Sequence, residues 1–360
     1  MRKSLRLVLV LAFFYAAGVN AGAQSLRRRA DARGVLVGAA VDPRRFGEPA
    51  YASTLAREFN MVEPENGLKW GALRPDRDTF DFGPGDRVVA FARAHGMKAR
   101  GHCLLWSEYN PAWLEKGGFT PGQLSALLRE HIFRVMGHYR GKVFAWDVVN
   151  ESFLADGSVE TSVWYDSPGI GLKGKGTAYI EQAFRWAREA DPGALLFYND
   201  YDTEGLNPKS DAVYEMAKDF RARGVPIDGV GIQAHIVDLD NKDIESFAAN
   251  LERLAALGLQ IHVTEMDVGL PVDADGRLRN PEDLKRQADI YRLIAEACFR
   301  QPRCTAFQTW GFTDKYSWIP GYTKGKKGAP LLFDQTYAPK PAYRAVLGAL
   351  DVRRRARKAR

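Results

Sequence analysis

Short apolar runs alternate along the chain with longer segments in which apolar residues recur at helical spacing, as in 124–136 and 284–298. Short runs separated by helical segments are typical of repeated βα units around a parallel sheet. Because there are eight runs and no linker interrupts residues 31–350, the pattern predicts a single-domain α/β fold, the (β/α)8 TIM barrel. The predicted strands are 35–40, 59–62, 98–105, 143–149, 194–198, 229–234, 260–264 and 305–310.

Polar side chains cluster at the carboxyl ends of these runs. In a barrel the strand ends meet on one face, which is where barrel active sites lie. Glu151 and Glu265 each end an apolar run, and burial raises the pKa of a carboxyl group while a suitable partner lowers it. The pair therefore predicts an acid and a nucleophile. The other strand-end residues are Glu65, Asn66, His102, Asn150, Asn199, Gln233, His235 and Trp310.

Four tryptophans lie in or just beyond the strand-end segments: Trp70, Trp106, Trp310 and Trp318. The C–H faces of sugar rings stack on tryptophan, and their hydroxyl groups need amide and carboxylate partners. A metal-dependent hydrolase has less support, because the six histidines form no H-x-H or H-E-x-x-H motif. A serine nucleophile is not favoured either, because no G-x-S-x-G elbow occurs. We therefore expect no metal site, and the Gly-rich segment 169–176 is interpreted as a surface loop.

The two ends of the chain carry export and charge signals. Basic residues precede the apolar stretch 7–17, and an A-x-A cleavage site ends at Ala23, which predicts a signal peptide at 1–23. We expect a basic N-terminal tail at 24–30 between the signal peptide and the catalytic domain at 31–350. A basic C-terminal tail is expected at 351–360. We expect a secreted protein, extracellular or periplasmic, with no membrane association after cleavage.

The net charge of +7 comes from these ends. Twelve of the 51 Lys and Arg residues lie in 1–30 and 353–360, which leaves 39 basic residues against 44 acidic ones in the body. A nucleic-acid-binding domain is expected to be basic on a folded face, so no nucleic-acid partner is predicted. A polyanion-binding role for the arginine tails stays open as a weaker alternative.

Three cysteines in an exported chain suit one disulfide and one leftover thiol. Cys298 and Cys304 flank a short loop between a helical segment and the last apolar run, so they are the predicted pair. Cys103 lies inside the third apolar run and is expected to be a buried, unreactive thiol.

Seven segments resemble glycoside hydrolase family 10, the retaining β-1,4-xylanases. They are EPENGLKW (63–70), GHCLLW (101–106), WDVVNE (146–151), YNDY (198–201), GIQAH (231–235), TEMD (264–267) and WGFTDKYSWIPGY (310–322). The resemblance runs through all eight units over residues 31–350. It implies a cofactor-independent endo-1,4-β-xylanase that hydrolyses internal bonds of xylan and xylo-oligosaccharides through a covalent glycosyl-enzyme. We expect a monomer.

The resemblance also implies roles for single residues. Glu151 is the implied general acid/base and Glu265 the nucleophile. Asn150 and His102 are expected to bond sugar hydroxyls in subsite −1. The remaining implied substrate-binding residues are Glu65, Asn66, Lys69, Trp106, Gln233, His235, Trp310 and Trp318, with Asp267, Asn199 and Tyr201 as supporting residues.

One departure affects the substrate-binding prediction. The family usually has His-Ser-Gln after the tryptophan of the third segment, whereas this chain has Ser107, Glu108 and Tyr109. Glu63, where threonine is common, is a lesser departure. Tyr109 therefore leaves an exo-acting or cellobioside-releasing relative open as an alternative. A carbohydrate-binding relative that has lost catalysis is a separate alternative, and the two implied catalytic glutamates and His235 argue against it.

Overall fold

The computed structural model describes residues 25–352, and its eight parallel strands form a closed barrel. Neighbouring strands pair in chain order, and the last strand pairs with both the seventh and the first. The predicted TIM barrel is thereby confirmed. The strands are β1 (Leu36–Val41), β2 (Met61–Pro64), β3 (Lys98–Trp106), β4 (Ala145–Asn150), β5 (Leu195–Asp200), β6 (Gly229–Ile232), β7 (Gln260–Val268) and β8 (Cys304–Thr309).

One long helix follows each strand, and one further helix precedes β1. Several helices begin at favourable caps: the side chains of Thr120 and Asn207 each accept a hydrogen bond from a first-turn backbone N–H. The helices are α1 (Leu26–Arg33), α2 (Pro49–Glu58), α3 (Gly83–Ala94), α4 (Pro121–Tyr139), α5 (Ala178–Ala190), α6 (Pro208–Ala222), α7 (Phe247–Ala256), α8 (Asp283–Arg300) and α9 (Pro341–Ala349).

Shorter elements lie in the connecting loops. The short helices are Trp70–Leu73, Ala112–Glu115 and Ile319–Tyr322, and 3-10 turns occur at Pro43–Arg45, Lys242–Ser246 and Asp314–Tyr316. The short strands are His235–Ile236, Leu270–Pro271 and Lys327–Gly328. His235–Ile236 pairs with the distal part of β7, which extends the sheet beyond the barrel rim.

The expectation of a basic N-terminal tail at 24–30 is wrong from Leu26 onward. Ser25 caps α1, and Leu26 and Ala30 are buried because they lie one helical turn apart on the face that contacts the barrel. The predicted signal peptide at 1–23 and all but the first two residues of the predicted C-terminal tail, 351–360, lie outside the described residues. Within 25–352 no helix has the length and hydropathy needed to cross a bilayer.

The cysteines occupy the positions that the sequence suggested. Cys298 at the end of α8 and Cys304 at the start of β8 form a disulfide with an S–S distance of 2.07 Å. Cys103 is a buried thiol in β3. The disulfide therefore joins a helix to the strand that follows it.

Candidate active site

Glu151 is the first residue after β4, and its φ of 55° turns the chain out of the strand. Trp106 Nε1 donates to its Oε2 at 2.9 Å, and Gln233 Nε2 donates to its Oε1 at 2.7 Å. Burial raises the pKa of Glu151, the Gln233 bond partly opposes this rise, and the nearby charge of Glu265 adds to it. A carboxyl group with a raised pKa is suited to donate a proton.

Glu265 lies within β7, and its side chain is almost fully buried (4% exposed). Asn199 Nδ2 donates to Oε1 at 2.6 Å, and His235 Nε2 lies 3.3 Å from Oε2. Burial acts to raise the pKa of this carboxyl, but the His235 bond and the positive charges of His102 and His235 outweigh it, and the net shift is downward. Glu265 is therefore ionised where Glu151 keeps its proton.

An amide chain joins the two carboxyl groups. Asn150 Oδ1 accepts from Asn199 Nδ2 at 2.8 Å and from Gln233 Nε2 at 3.2 Å, and these two amides also bond Glu265 and Glu151. Asn150 Nδ2 is buried and makes no hydrogen bond of ordinary geometry within residues 25–352, although it lies near enough to Glu151 to lower the pKa of that carboxyl. Because a buried unpaired donor is unfavourable, this amide is suited to bond a ligand hydroxyl.

His235 links the nucleophile candidate to an outer carboxylate. Its Nδ1 lies 3.1 Å from Asp267 Oδ2, and Trp318 Nε1 donates to the same oxygen at 2.7 Å. Burial disfavours the imidazolium form, yet the charges of Asp267 and Glu265 outweigh burial and raise the pKa of His235 well above its usual value. His235 therefore presents a positive charge to Glu265.

Two tryptophans form a wall beside these groups. The rings of His102 and His235 meet Trp310 edge to face, with centroids 5.2 and 6.3 Å apart. Trp318 meets His235 in the same way at 5.0 Å. Both tryptophans come from the segment after β8, so this segment covers one side of the carboxyl pair.

Lys69 lies among the aromatic rings of the cleft, with its Nζ 5.3 Å from the ring centroid of Trp310. Its Nζ donates to Asn66 Oδ1 at 2.9 Å and lies 4.9 Å from the ring centroid of Trp106 and 4.6 Å from that of Tyr109. The Tyr109 ring stacks on Trp106 at 5.4 Å with an angle of 13° between the ring planes. Tyr109 is 57% exposed, so a large part of this side chain is open to solvent.

Glu65 lies close to Lys69 and Asn66. Burial raises the pKa of its carboxyl, while the charge of Lys69 opposes this rise. The structure therefore brings together three residues from the segment after β2 for which the family resemblance implies substrate binding: Glu65, Asn66 and Lys69.

Comparison with known proteins agrees with this arrangement. The family description "Glycosyl hydrolase family 10" matches residues 25–349. The chain belongs to this family. It is 45% identical over 296 residues to endo-1,4-beta-xylanase B of Thermotoga neapolitana, with 82% of each chain covered. It is 36% identical over 312 residues to an endo-1,4-beta-xylanase of Agaricus bisporus, covering 86% of this chain and 89% of the relative.

Solved structures give the same assignment. Xylanase 10B from Thermotoga petrophila, solved in complex with xylobiose, superposes with a TM-score of 0.84 at 43% identity over 91% of this chain and 97% of that chain. Native xylanase 10B from Thermotoga maritima gives 0.84 at 42% identity, covering 91% and 98%. As a family 10 member, the protein is a glycoside hydrolase.

Two aromatic residues in the described part of this family 10 chain form no hydrogen bond to the carboxyl pair. Trp70 is buried and stacks on His131 at 3.8 Å, so it is a packing residue and not part of the sugar-binding wall. Tyr201, assigned a supporting role, covers the ammonium group of Lys209 at 3.2 Å from its ring centroid. Within residues 25–352 it forms no hydrogen bond to Glu151 or Glu265.

Sequence reasoning missed a buried charge network beneath the site. The Arg100 guanidinium bonds both oxygens of Asp147 and lies 2.5 Å from Glu63 Oε2, and all three side chains are fully buried. Asp147 Oδ2 in turn lies 3.0 Å from His102 Nδ1. The available signal was a charged residue inside an apolar run, since Arg100 and Asp147 interrupt the third and fourth runs.

The same network contains a set of potential metal ligands. Atoms of Glu63, His102 and Asp147 lie within 4.8 Å of one another. The Arg100 guanidinium already lies against both carboxylates and supplies the positive charge that a cation would bring. We therefore interpret the cluster as an ion-pair network that orients His102.

Proposed function

We propose that this glycoside hydrolase is a secreted endo-1,4-β-xylanase that hydrolyses internal β-1,4-xylosidic bonds with retention of configuration. The observation that carries the proposal is a pair of carboxyl groups in one cleft with different partners: Glu151 accepts from the neutral Trp106 and Gln233, whereas Glu265 faces His235. These partners go with a raised pKa for Glu151 and a lowered pKa for Glu265. A glycosidase needs this division between its acid and its second carboxylate, and retention is what membership of family 10 implies. Similarity to proteins named endo-1,4-beta-xylanases supports the substrate class.

In the first step, the ionised Glu265 attacks the anomeric carbon while Glu151 gives its proton to the leaving glycosidic oxygen. A covalent glycosyl-enzyme forms and the aglycone departs. In the second step, Glu151 is a carboxylate and removes a proton from water, which attacks the same carbon and releases Glu265. The unpaired Asn150 Nδ2 is suited to bond the 2-hydroxyl, a contact that strengthens as the ring approaches the oxocarbenium-like state.

The walls of the cleft suit a chain of pyranose rings. Trp310 and Trp318 offer apolar faces, and Asn66 and Lys69, whose Nζ lies 5.3 Å from the Trp310 ring centroid, offer donors to hydroxyl groups. Sugars combine these two kinds of surface, because their C–H faces are apolar and their rims are polar. Xylan and xylo-oligosaccharides are therefore the proposed ligands.

The reaction class is tested on xylan and on a defined xylo-oligosaccharide. Proton NMR of early products should show the β-anomer first, followed by mutarotation; initial release of the α-anomer would contradict retention. The viscosity of soluble xylan should fall well before many reducing ends appear. Slow viscosity loss with release of one short product favours the exo-acting alternative, and binding without hydrolysis favours an inactive relative.

Variants of the carboxyl pair test the roles of its members. Glu265→Ala should lower turnover by on the order of 10³-fold or more on every substrate, because no covalent intermediate can form. Glu151→Ala should retain the first step on aryl glycosides with good leaving groups but lose the base for the second step. Added azide should partly restore its turnover, whereas equal loss on all leaving groups without azide rescue would count against the acid/base role.

Export is part of the same proposal and rests on the sequence of residues 1–23. Full-length protein expressed in a bacterial host should reach the periplasm or medium with a new N-terminus at Gln24. N-terminal sequencing of the recovered protein measures this directly. Cytoplasmic protein that still begins at Met1 would refute export.

A further inference from the structure

Ala234 adopts a left-handed conformation next to the catalytic cleft, with a φ of 62°. It follows the end of β6 and separates Gln233 from His235. Residues with a Cβ avoid this conformation, so the surrounding structure must maintain it. The turn matters for the site because Gln233 bonds Glu151 and His235 bonds Glu265.

Backbone and side-chain bonds hold this turn from two sides. Gln233 O accepts from Glu265 N at 3.0 Å, and Ala234 O accepts from Asp267 N at 3.3 Å, which ties the turn to β7. On the other side, Ala234 N donates to Glu204 Oε1 at 3.0 Å. Glu204 is thus the side chain that fixes the peptide between the two carboxylate-binding residues.

The loop that carries Glu204 is itself anchored. Glu204 is 1% exposed, and Asn250 Nδ2 donates to Thr203 O at 2.7 Å. A Cβ at Gly205 would lie 2.0 Å from Asp243 O, so this loop packs closely on the 3-10 turn before α7. A carboxylate on such a support has a fixed position and can define the position of the amide that it binds.

We propose that Glu204 is a positioning residue for both catalytic carboxyl groups, acting through the backbone of Ala234 to orient Gln233 toward Glu151 and His235 toward Glu265. The inference rests on the proposed roles of those two glutamates. Glu204 bonds neither of them and lies outside the substrate cleft. Its effect on turnover is therefore indirect, through two donors at once.

The proposal predicts a characteristic change in the pH profile. The Gln233 bond lowers the pKa of Glu151 and the His235 bond lowers the pKa of Glu265. Weakening both bonds raises both pKa values, so the acidic and the alkaline limbs of kcat/KM both move to higher pH. A loss of global stability alone would move neither limb.

The relevant property of Glu204 is its acceptor oxygen. Burial raises the pKa of Glu204 to about 7, the charge of Asp202 adds to this rise, and the charge of His235 opposes it. Either protonation state leaves one oxygen able to accept from Ala234 N. Glutamine also offers such an oxygen at the same position, whereas leucine offers none.

The experiment compares Glu204→Leu and Glu204→Gln with matched changes at Glu58. Glu58 is also a buried carboxylate that accepts from a backbone amide, Leu26 N at 3.2 Å, but it lies on α2, outside the active site. Glu204→Leu should lower kcat on xylan about 10- to 100-fold with little change in KM. Both limbs of its kcat/KM pH profile should move to higher pH by about half a unit. Glu204→Gln should stay close to the wild type.

Glu58→Leu should lower Tm without moving the acidic or the alkaline limb of the kcat/KM pH profile. Glu58→Gln should lower Tm less. The inference is overturned if Glu204→Leu keeps the wild-type kcat and pH limbs while its Tm falls. If Glu204→Leu does not fold, Glu204→Asp replaces it, since a side chain shorter by one methylene withdraws the acceptor from Ala234 N. The same direction of change is then required.

Failure of the proposed function has a different signature. A wild-type protein that does not cleave xylan contradicts the proposed xylanase function, whatever the variants show. Titration of the carboxyl carbons of Glu151 and Glu265 by ¹³C NMR needs no substrate and measures the predicted pKa increases directly. Unchanged titrations in folded Glu204→Leu or Glu204→Asp would refute the positioning role even in an active enzyme.

Discussion

At the scale of single residues, Glu151 and Glu265 have the same side chain and different surroundings. Glu151 receives hydrogen bonds from two neutral donors, Trp106 and Gln233. Glu265 faces the positively charged His235 and receives a further bond from Asn199. Burial acts on both in the same direction, so the charged partner decides which carboxyl ionises first.

Tyr109 gives a prediction at this scale. Its ring stacks on Trp106 beside Lys69, where the family usually has a glutamine. We expect the phenol ring to fill space that the hydroxymethyl group of glucose would need, and one misfitting group is typically worth about 10- to 200-fold in specificity. Tyr109→Gln should therefore raise kcat/KM on aryl cellobiosides and leave aryl xylobiosides and xylan nearly unchanged.

The aryl xylobioside is the internal control for that substitution, because it differs from the cellobioside in the hydroxymethyl groups. Equal changes on both substrates would show that Tyr109 affects the site as a whole and does not select between sugars. Unchanged cellobioside activity would show that the ring lies away from the bound glycone.

At the scale of elements, helix α4 contributes a buried histidine to the packing of the short helix Trp70–Leu73. His131 stacks on Trp70, and neither of its ring nitrogens has a hydrogen-bond partner within residues 25–352. Burial, together with the charge of Arg74, lowers the pKa of His131 well below its usual value. The imidazole is thus neutral in the folded protein at pH values where an unfolded chain binds a proton.

This predicts an acid-sensitive contribution to stability. Between the unfolded pKa of about 6.5 and the lower folded pKa, the unfolded state binds more protons, so the free energy of unfolding falls as pH falls. The contribution approaches about 1.4 kcal/mol per pH unit. His131→Phe keeps an aromatic ring that can stack on Trp70 but has no group that binds a proton. Between pH 7 and pH 5, the Tm of this variant should therefore fall less than the Tm of the wild type.

Measurement at pH 8 separates packing from protonation, because His131 is neutral there in both states. Other buried histidines are common to both proteins, and the difference between the two pH curves isolates this one. Parallel curves from pH 8 to pH 5 would refute the assignment.

At the scale of the whole molecule, α1 joins the beginning of the described chain to its end. Arg33 Nη1 donates to Leu350 O at 2.6 Å and to Val352 O at 2.5 Å, just beyond α9. Arg33 also bonds Phe299 O at the end of α8. These contacts connect the segment before the first strand with the last two βα units and so support closure of the barrel.

Arg33→Ala should therefore lower the free energy of unfolding by about 1–2 kcal/mol, since partly buried carbonyl groups lose their donor. Thermal or urea unfolding at neutral pH measures the change. Arg28→Ala is the matched control, because Arg28 is an exposed arginine of the same helix. Equal effects of the two substitutions would contradict a specific role for Arg33.

The sequence by itself determined the eight strands and the position of the two glutamates. Parallel strands covered by helices are buried on both faces and read as continuous apolar runs, and a carboxylate at the end of such a run is conspicuous. The resemblance to family 10 added partners such as His235 and Gln233, because each lies in a short motif whose residues are consecutive in the chain.

Only the tertiary structure decided which side chains meet across strands. Arg100, Glu63 and Asp147 come from three strands, and nothing in their local sequence shows that they neutralise one another. Trp70 packs in the interior and Trp310 borders the cleft, although both follow strand ends. Glu204 bonds Ala234 from another loop. Such pairings depend on barrel closure, which brings residues distant in sequence within hydrogen-bonding distance.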